Sequence, residues 1–216
     1  MEVITYNKKY HTQIIHAVVL ALKAGKSVAY PTDTSYGLAV DIKNPEALHK
    51  LYKIKERSLS QATHVLIPNI EYARKISFWD THAEMLAKKY WPGPLTLVLK
   101  LKSKNGALIS LTGGTGYLGV RIAKQNIAQD IVIALGRPIT TTSANPSKAI
   151  SGGVDSYSGK QIYEQFQKQK YKPDIILEAG ILPKRKPSTI VKVDVDGYEI
   201  LRVGPVTEKQ IVSFWK

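Results

Sequence analysis

The chain contains no cysteine among its 216 residues. That absence alone excludes a disulfide scaffold, a Cys-ligated zinc site and a thiol nucleophile. Long apolar runs are missing too: no stretch reaches the roughly 18 residues that a membrane span needs. Residues 1–10, MEVITYNKKY, carry neither an apolar h-region nor a small-residue cleavage site. The expectation is a cytoplasmic protein. HExxH and the Walker A pattern are absent, and the histidines are scattered at His11, His16, His49, His64 and His82. No metal held by protein side chains is expected from such a distribution. Acidic residues are scarce, 17 against 31 Lys and Arg, for a formal net charge of +14. The excess favours an anionic partner such as a nucleotide, RNA or acidic lipid, without choosing among them.

What is present suits one globular domain spanning 1–216. Hydrophobic residues make up 44% of the chain, enough for a sizeable core. Helical and strand-like patterns alternate, which argues for an α/β fold. TQIIHAVVLALKAG has helical apolar spacing, with Thr12 placed to cap it and Gly25 to stop it. NPEALHKLYKIK opens on Asn44 at N-cap, Pro45 at N1 and Glu46 in the first turn. THAEMLAKKY, NIAQDIVIALG (capped by Asn126, stopped by Gly136), KQIYEQFQKQ and TEKQIVSFW read as further helices. KSVAY, HVLIP, LTLVLKL, LGVRIA, PITTT, DIILEAG, STIVKV and YEILRV read as strands, with Asp196-Gly197 marking a hairpin between the last two. The softest regions are NPSKAISGGVDSYSGK and AGILPKRKPS.

GTGYLG, Gly114 to Gly119, matches G-x-G-x-x-G by letter. The β-branched VRIA that follows is strand-like, and residues 135–145 hold no acidic residue, so the dinucleotide reading fails and the glycines shape a loop. More informative is SVAYPTDTSYGLAVD, where an apolar run gives way to Thr32, Asp33, Thr34, Ser35 and Tyr36. ITTTSAN repeats that grammar at Thr140 to Asn145. Ligands in open α/β sheets sit at strand carboxyl ends, so two such ends point to one shared polar pocket, although Ser143 and Asn145 also suit turns. KIKERSLSQ places Lys53, Lys55 and Arg57 at a helix end, where cations meet a phosphate chain or simply face solvent.

Taken together these stretches resemble the YrdC-like threonylcarbamoyl-AMP synthase family. The ordered set is YPTDTSYGL, KER, WPGPLTLVLK, LGVRIA, TTSAN and STI…LRVG, running from about Ser27 to Gly204. The resemblance implies an open, twisted, mixed sheet with flanking helices around a positively charged cleft, as in YrdC/RibB-like folds. It implies a nucleotidyltransferase reaction in which L-threonine, bicarbonate and ATP give threonylcarbamoyl-AMP and pyrophosphate, for modification of a tRNA adenosine. Thr34, Arg121, Thr141 and Ser188 would hold threonine. Arg57, Ser143, Ser151 and Arg202 would hold ATP, with Lys55 and Lys53 against its phosphates, Gln61 and Tyr117 near the nucleotide, and Asn145 bracing the pocket. Lys55, Arg57 and Arg121 are the residues expected to carry catalysis, and Mg²⁺ would arrive with ATP. A downstream threonylcarbamoyl transferase complex, and tRNA itself, are the implied partners.

The chain departs from the family pattern after Arg57, where RSLSQATHVLI lacks the usual prolines; this bears on Gln61. It also ends soon after Arg202, without the extra C-terminal domain of longer members. Two rival expectations stand beside the synthase. One is a non-catalytic RNA-binding paralogue using the basic cleft. The other is a carbamoyl-adenylate enzyme of the hydrogenase-maturation type, which the short, Cys-free chain argues against.

Overall fold

A computed structural model describes residues 1–103, 106–146 and 152–215. The expected sheet is present as two mixed sheets rather than one. The first has strand order β1-β9-β2-β3-β8, from β1 (Glu2–Thr5), β2 (Val28–Tyr30), β3 (Gly37–Ala39), β8 (Thr142–Ser143) and β9 (Ile175–Glu178). The second runs β11-β10-β5-β6-β4-β7, from β4 (Val65–Leu66), β5 (Leu95–Lys100), β6 (Tyr117–Arg121), β7 (Ile139–Thr140), β10 (Thr189–Asp194) and β11 (Gly197–Arg202). Parallel pairs such as β1 with β9 and β10 with β5 alternate with antiparallel ones such as β2 with β3 and β5 with β6.

The sheets meet where the chain crosses between them. β7 pairs with β4 in the second sheet, β8 pairs with β3 in the first, and only Thr141 lies between. The Thr141 N–H donates to His64 O at 2.8 Å. An isolated bridge, Asp41 to Ile139, and the Thr140 hydroxyl, which accepts from Val40 N at 3.0 Å, tie the two edges together. A chain that changes sheets leaves strand ends unpaired on one side, so their polar groups face the gap.

The helices pack on both sheets: α1 (His11–Lys23), α2 (Pro45–Lys55), α3 (Ile70–Ile76), α4 (Thr81–Tyr90), α5 (Asn126–Leu135), α6 (Gly159–Phe166) and α7 (Glu208–Val212). Ile15, Val18, Val19 and Leu22 of α1 meet Ile127, Ile131, Val132 and Leu135 of α5 in a cluster that also takes in Val28 of β2 and Ile175 of β9. Each such side chain contributes about 1.5–3 kcal/mol on burial. That is why the 3.6-residue apolar spacing was a reliable sign of both helices.

Several local expectations are corrected. Thr12 is not the cap of α1, because helical geometry begins at His11 and the N-cap is Tyr10, without a side-chain bond. Gln125, not Asn126, caps α5 through its side-chain oxygen on Ile127 N and Ala128 N. The β10–β11 loop is Val195-Asp196, and Gly197 pairs with Asp194 at φ +131°. The polar N-terminus forms edge strand β1, where backbone pairing with β9 needs no apolar side chain. Asn44 and Pro45 start α2 as expected. That helix ends because Glu56 turns left-handed, φ 46° and ψ 48°, a conformation costing a non-glycine residue about 1 kcal/mol. The turn sends Lys55 and Arg57 in different directions.

Candidate active site

The sheet crossing opens into a cavity of about 160 Å³. Its floor and walls come from loops that end strands. The β2–β3 loop brings Thr34 and Ser35, the segment after α2 brings Arg57, and the end of β6 brings Arg121. Thr141, Thr142 and Ser143 come from the crossing itself, and Ser188 and Arg202 from the β10–β11 pair. Eight of the expected site residues, distant in sequence, are therefore on one surface: Thr34, Arg57, Arg121, Thr141, Ser143, Ser188 and Arg202 line it, and Asn145 braces it from behind.

The run of hydrogen-bonding side chains after β2 divides its labour. Thr32 is spent on the loop itself: its hydroxyl donates to Ser35 O at 2.6 Å and accepts from Thr34 N at 3.1 Å. The Tyr36 hydroxyl donates to Gly180 O at 2.9 Å and accepts from Ala179 N at 2.9 Å. Asp33 is spent on Arg121, at 2.5 Å. The Thr34 hydroxyl, on the cavity wall, lies 3.4 Å from Arg121 Nη1 and 3.1 Å from the Thr32 hydroxyl.

Arg121 is anchored at two points. Its Nε donates to Gly93 O at 2.9 Å, which explains the close approach of the WPGP turn, and Nη2 meets Asp33. Both side chains of that ion pair are more than nine-tenths buried. A guanidinium has five N–H donors, so donors remain for an anion after both anchors. Arg202 is fixed across the hairpin, Nε to Ser188 O at 2.9 Å and Nη2 to Ser188 Oγ at 3.1 Å, while Thr96 Oγ1 holds the same Ser188 hydroxyl at 2.9 Å. Arg57 reaches Thr142 Oγ1 at 3.4 Å.

Lys55 behaves differently from the expectation that it faces phosphate. It is 2% exposed and is not a lining residue. Its Nζ donates to Ser143 O at 2.6 Å, to Asn145 Oδ1 at 2.7 Å and to Asn145 O. Burial, then Arg57, pull its pKa down to about 7, while Asp155 acts the other way. Three acceptors match the three donors of an ammonium and exceed the two of a neutral amine, so the geometry is built for the charged form. The Ser143 hydroxyl in turn donates to Asn145 Oδ1 at 2.7 Å, and Asn145 Nδ2 to Val154 O at 3.0 Å. Lys55 and Asn145 thus shape the Ser143 wall from behind.

Three other expected residues lie elsewhere, and a fourth is not described. Lys53 is exposed, with Nζ 5.7 Å from the Tyr171 ring centre. Gln61 is exposed, and its carbonyl accepts from Tyr52 OH at 3.0 Å. Tyr117 donates to Asp194 and lies under Lys192 Nζ, 4.4 Å from its ring centre. Ser151 is outside the described residues. GTGYLG opens no helix: Gly116 takes φ +77° in the loop and Gly119 is inside β6.

The sequence reading gave no site role to Asp33, His64, Thr96 or Asp155. Their signal is weak, because no motif in the sequence assigns any of them a role beside the other site residues. His64 lines the cavity, and a Cβ on Gly119 would meet its ring at 2.4 Å, so the glycine is what makes room for the imidazole. Burial first, then Arg202, Arg57 and Arg121, hold its pKa down at about 4. The unfolded chain therefore binds this proton below about pH 6.5 while the folded chain resists it until about pH 4. Stability is lost as pH falls through that window, by roughly 2–3 kcal/mol from this group. His64→Gln should remove that part of the loss. Denaturant midpoints at pH 7 and pH 4.5 in both proteins check it, and an identical drop in the two would refute it.

A family model for the Sua5, YciO and YrdC proteins, described as telomere recombination, matches residues 20–204. The threonylcarbamoyl-AMP synthase of Vibrio vulnificus is 30% identical over 193 residues, 88% of this chain and 98% of that one. The threonylcarbamoyl-AMP synthase of Bos taurus is 32% identical over 204 residues, 91% of this chain and 70% of the relative. Among solved structures, P. abyssi Sua5 complexed with L-threonine superposes with a TM-score of 0.87 at 28% identity and covers 99% of this chain. This chain spans 61% of that one, about three-fifths of its length.

Proposed function

The chain belongs to the Sua5/YciO/YrdC family, and on that footing we propose that it is an L-threonylcarbamoyladenylate synthase. The single observation that carries the reading is the convergence of Arg57, Arg121 and Arg202 with the hydroxyls of Thr34, Thr141, Ser143 and Ser188 in one cavity. Relatives named as this synthase, and the likeness to a structure holding L-threonine, support it.

The proposed ligands explain the residue types. Arg121, held flat by Gly93 and Asp33, presents a fork to the amino-acid carboxylate, which two N–H donors bind better than a point charge does. Thr34, Thr141 and Ser188 offer donors and acceptors to the rest of the amino acid. Arg57, Ser143 and Arg202 meet the nucleotide and its phosphates. The threonine amine bonds to the carbon of bicarbonate as water leaves, giving a carbamate, and a carbamate oxygen then attacks the α-phosphorus as pyrophosphate leaves. In this reading the enzyme is a nucleotidyltransferase, and the protein positions two anionic substrates and offsets their charge. Lys55 is assigned the part of a brace that sets the Ser143 wall.

Mg²⁺ bound to ATP would reduce the charge repulsion on the triphosphate. Among the described residues no group of three His, Cys, Asp or Glu side chains is arranged to hold a metal, which fits an ion carried on phosphate oxygens. The product, an activated acyl phosphate, calls for a transferase that hands the threonylcarbamoyl group to tRNA. Among the described residues no helix is long and apolar enough to cross a membrane.

Pyrophosphate release from ATP, measured with and without threonine and bicarbonate, tests the reading. Release that depends on both supports it; none at all would leave a nucleotide or RNA binder. Arg57→Ala should weaken ATP about 10–100-fold, the size of one charge-assisted contact, and leave threonine affinity within about twofold. Calorimetry with each ligand separates the two. The reverse pattern would overturn the division of the pocket.

A further inference from the structure

Among the described lining residues Asp155 is the single carboxylate; the other charged groups there are the guanidiniums of Arg57, Arg121 and Arg202. This inference rests on the function proposed above. The triphosphate, the bicarbonate and the amino-acid carboxylate are all anions, and a carboxylate beside them raises the free energy of each when bound. A ligand group of positive charge offsets that cost. In the proposed substrate set the amino acid brings one such group, its ammonium.

We propose that Asp155 seats the ammonium of the amino-acid substrate and takes the proton this nitrogen must lose before it bonds to carbon. Asp155 is within hydrogen-bond reach of Ser143 and feels Arg202 and Lys55. Arg202 is itself bonded to Ser188, one of the residues assigned to the amino acid. Asp155 thus lines the cavity together with residues assigned to each of the two substrates, Ser188 for the amino acid and Ser143 and Arg202 for the nucleotide. The bond changes balance. The ammonium gives one proton to the Asp155 carboxylate. The freed lone pair forms the N–C bond with bicarbonate, and hydroxide leaves, departing as water with a second proton from nitrogen. One proton remains on Asp155, to be passed to solvent before the next turnover.

The surroundings support a proton acceptor. Burial raises the Asp155 pKa, and Arg202, Lys55 and the Ser143 bond hold it from rising further. Tyr157 is near it and feels its charge. His64, also on the cavity wall, is neutral at pH 7 and offers no charge to an ammonium, and burial keeps the Tyr36 hydroxyl protonated.

The test compares wild type with Asp155→Asn and Asp155→Glu. Calorimetry with threonine alone and with ATP alone needs no turnover, and thermal melts control for folding. Asp155→Asn should weaken threonine, keep ATP affinity within about twofold, and lower threonine-dependent pyrophosphate release by about 10²-fold at pH 7. The deficit should shrink as pH rises well above the value of about 8 typical of a peptide α-amino group, because the amino acid's own carboxylate holds its ammonium proton to higher pH before it is lost unaided. Asp155→Glu should recover part of the threonine affinity. Unchanged threonine affinity with an unchanged pH profile in Asp155→Asn overturns the proposal. So does a loss that appears in ATP binding and is restored by added Mg²⁺, which would make the carboxylate a partner of the metal. If wild type binds threonine yet releases no pyrophosphate, the synthase reading fails while the binding arm still judges the ammonium seat. If wild type binds no threonine, both fall.

Discussion

Arg121→Lys will bind ATP as wild type does and lose about 10²–10³-fold of threonine-dependent pyrophosphate release, a loss of about 2.7–4 kcal/mol in transition-state stabilisation. Lysine keeps the charge, so the change isolates the fork. A flexible ammonium cannot bond Gly93 O and Asp33 at the distances seen, 2.9 and 2.5 Å, and still present two parallel donors to a carboxylate. The alanine variant is the poorer probe. It leaves Asp33, whose side chain is 8% exposed, without its partner, and breaking a buried pair in this way costs about 3–5 kcal/mol. Arg121→Ala therefore risks unfolding, and Asp33→Asn with Arg121→Lys serves as its control. Steady-state kinetics with threonine varied at saturating ATP provide the measurement. Loss of ATP affinity with intact threonine affinity in Arg121→Lys would move this arginine to the other half of the pocket.

The second large effect belongs to Lys55. Lys55→Met preserves the length of the stem and removes the ammonium from three oxygens, two of them backbone carbonyls of Ser143 and Asn145. Buried acceptors left without donors cost about 1–3 kcal/mol each, and part of that is recovered if water enters. A destabilisation of about 3 kcal/mol is expected, read as a lower denaturation midpoint. Turnover should fall by about 10² as well, because Ser143 loses the geometry that Asn145 and Lys55 impose on it. The two readouts together distinguish a brace from a phosphate ligand. A Lys55→Met protein as stable as wild type but unable to bind ATP would show that Nζ leaves these oxygens for the triphosphate.

The sequence was most legible where a pattern has a local cause. Asn44-Pro45 starts α2 because an N-cap acceptor and a fixed φ act within one turn, and the apolar stripe of α1 shows which face it buries. It was least legible in short strands. β7 and β8 have two residues each, too few for alternation to show. Nothing in ITTTSAN tells that one sheet ends at Thr140 and another starts at Thr142. The caps at Thr12 and Asn126 were misjudged by a residue or two, since capping depends on backbone angles that residue type only biases.

The site shows the same division. Composition and motif order were enough for the family and for most of the residues that line the cavity. Those are properties of residue identity, and identity is carried along the chain. Which hydroxyls are free and which are consumed was decided only by tertiary structure. Thr32 and Tyr36 are spent on their own surroundings, Lys55 is turned onto carbonyls 88 and 90 residues away, and Asp33 and Asp155 acquire their partners from distant strands. Hydrogen-bonding capacity is local, whereas its use depends on which groups the fold brings within about 3 Å, and no spacing in the sequence records that distance.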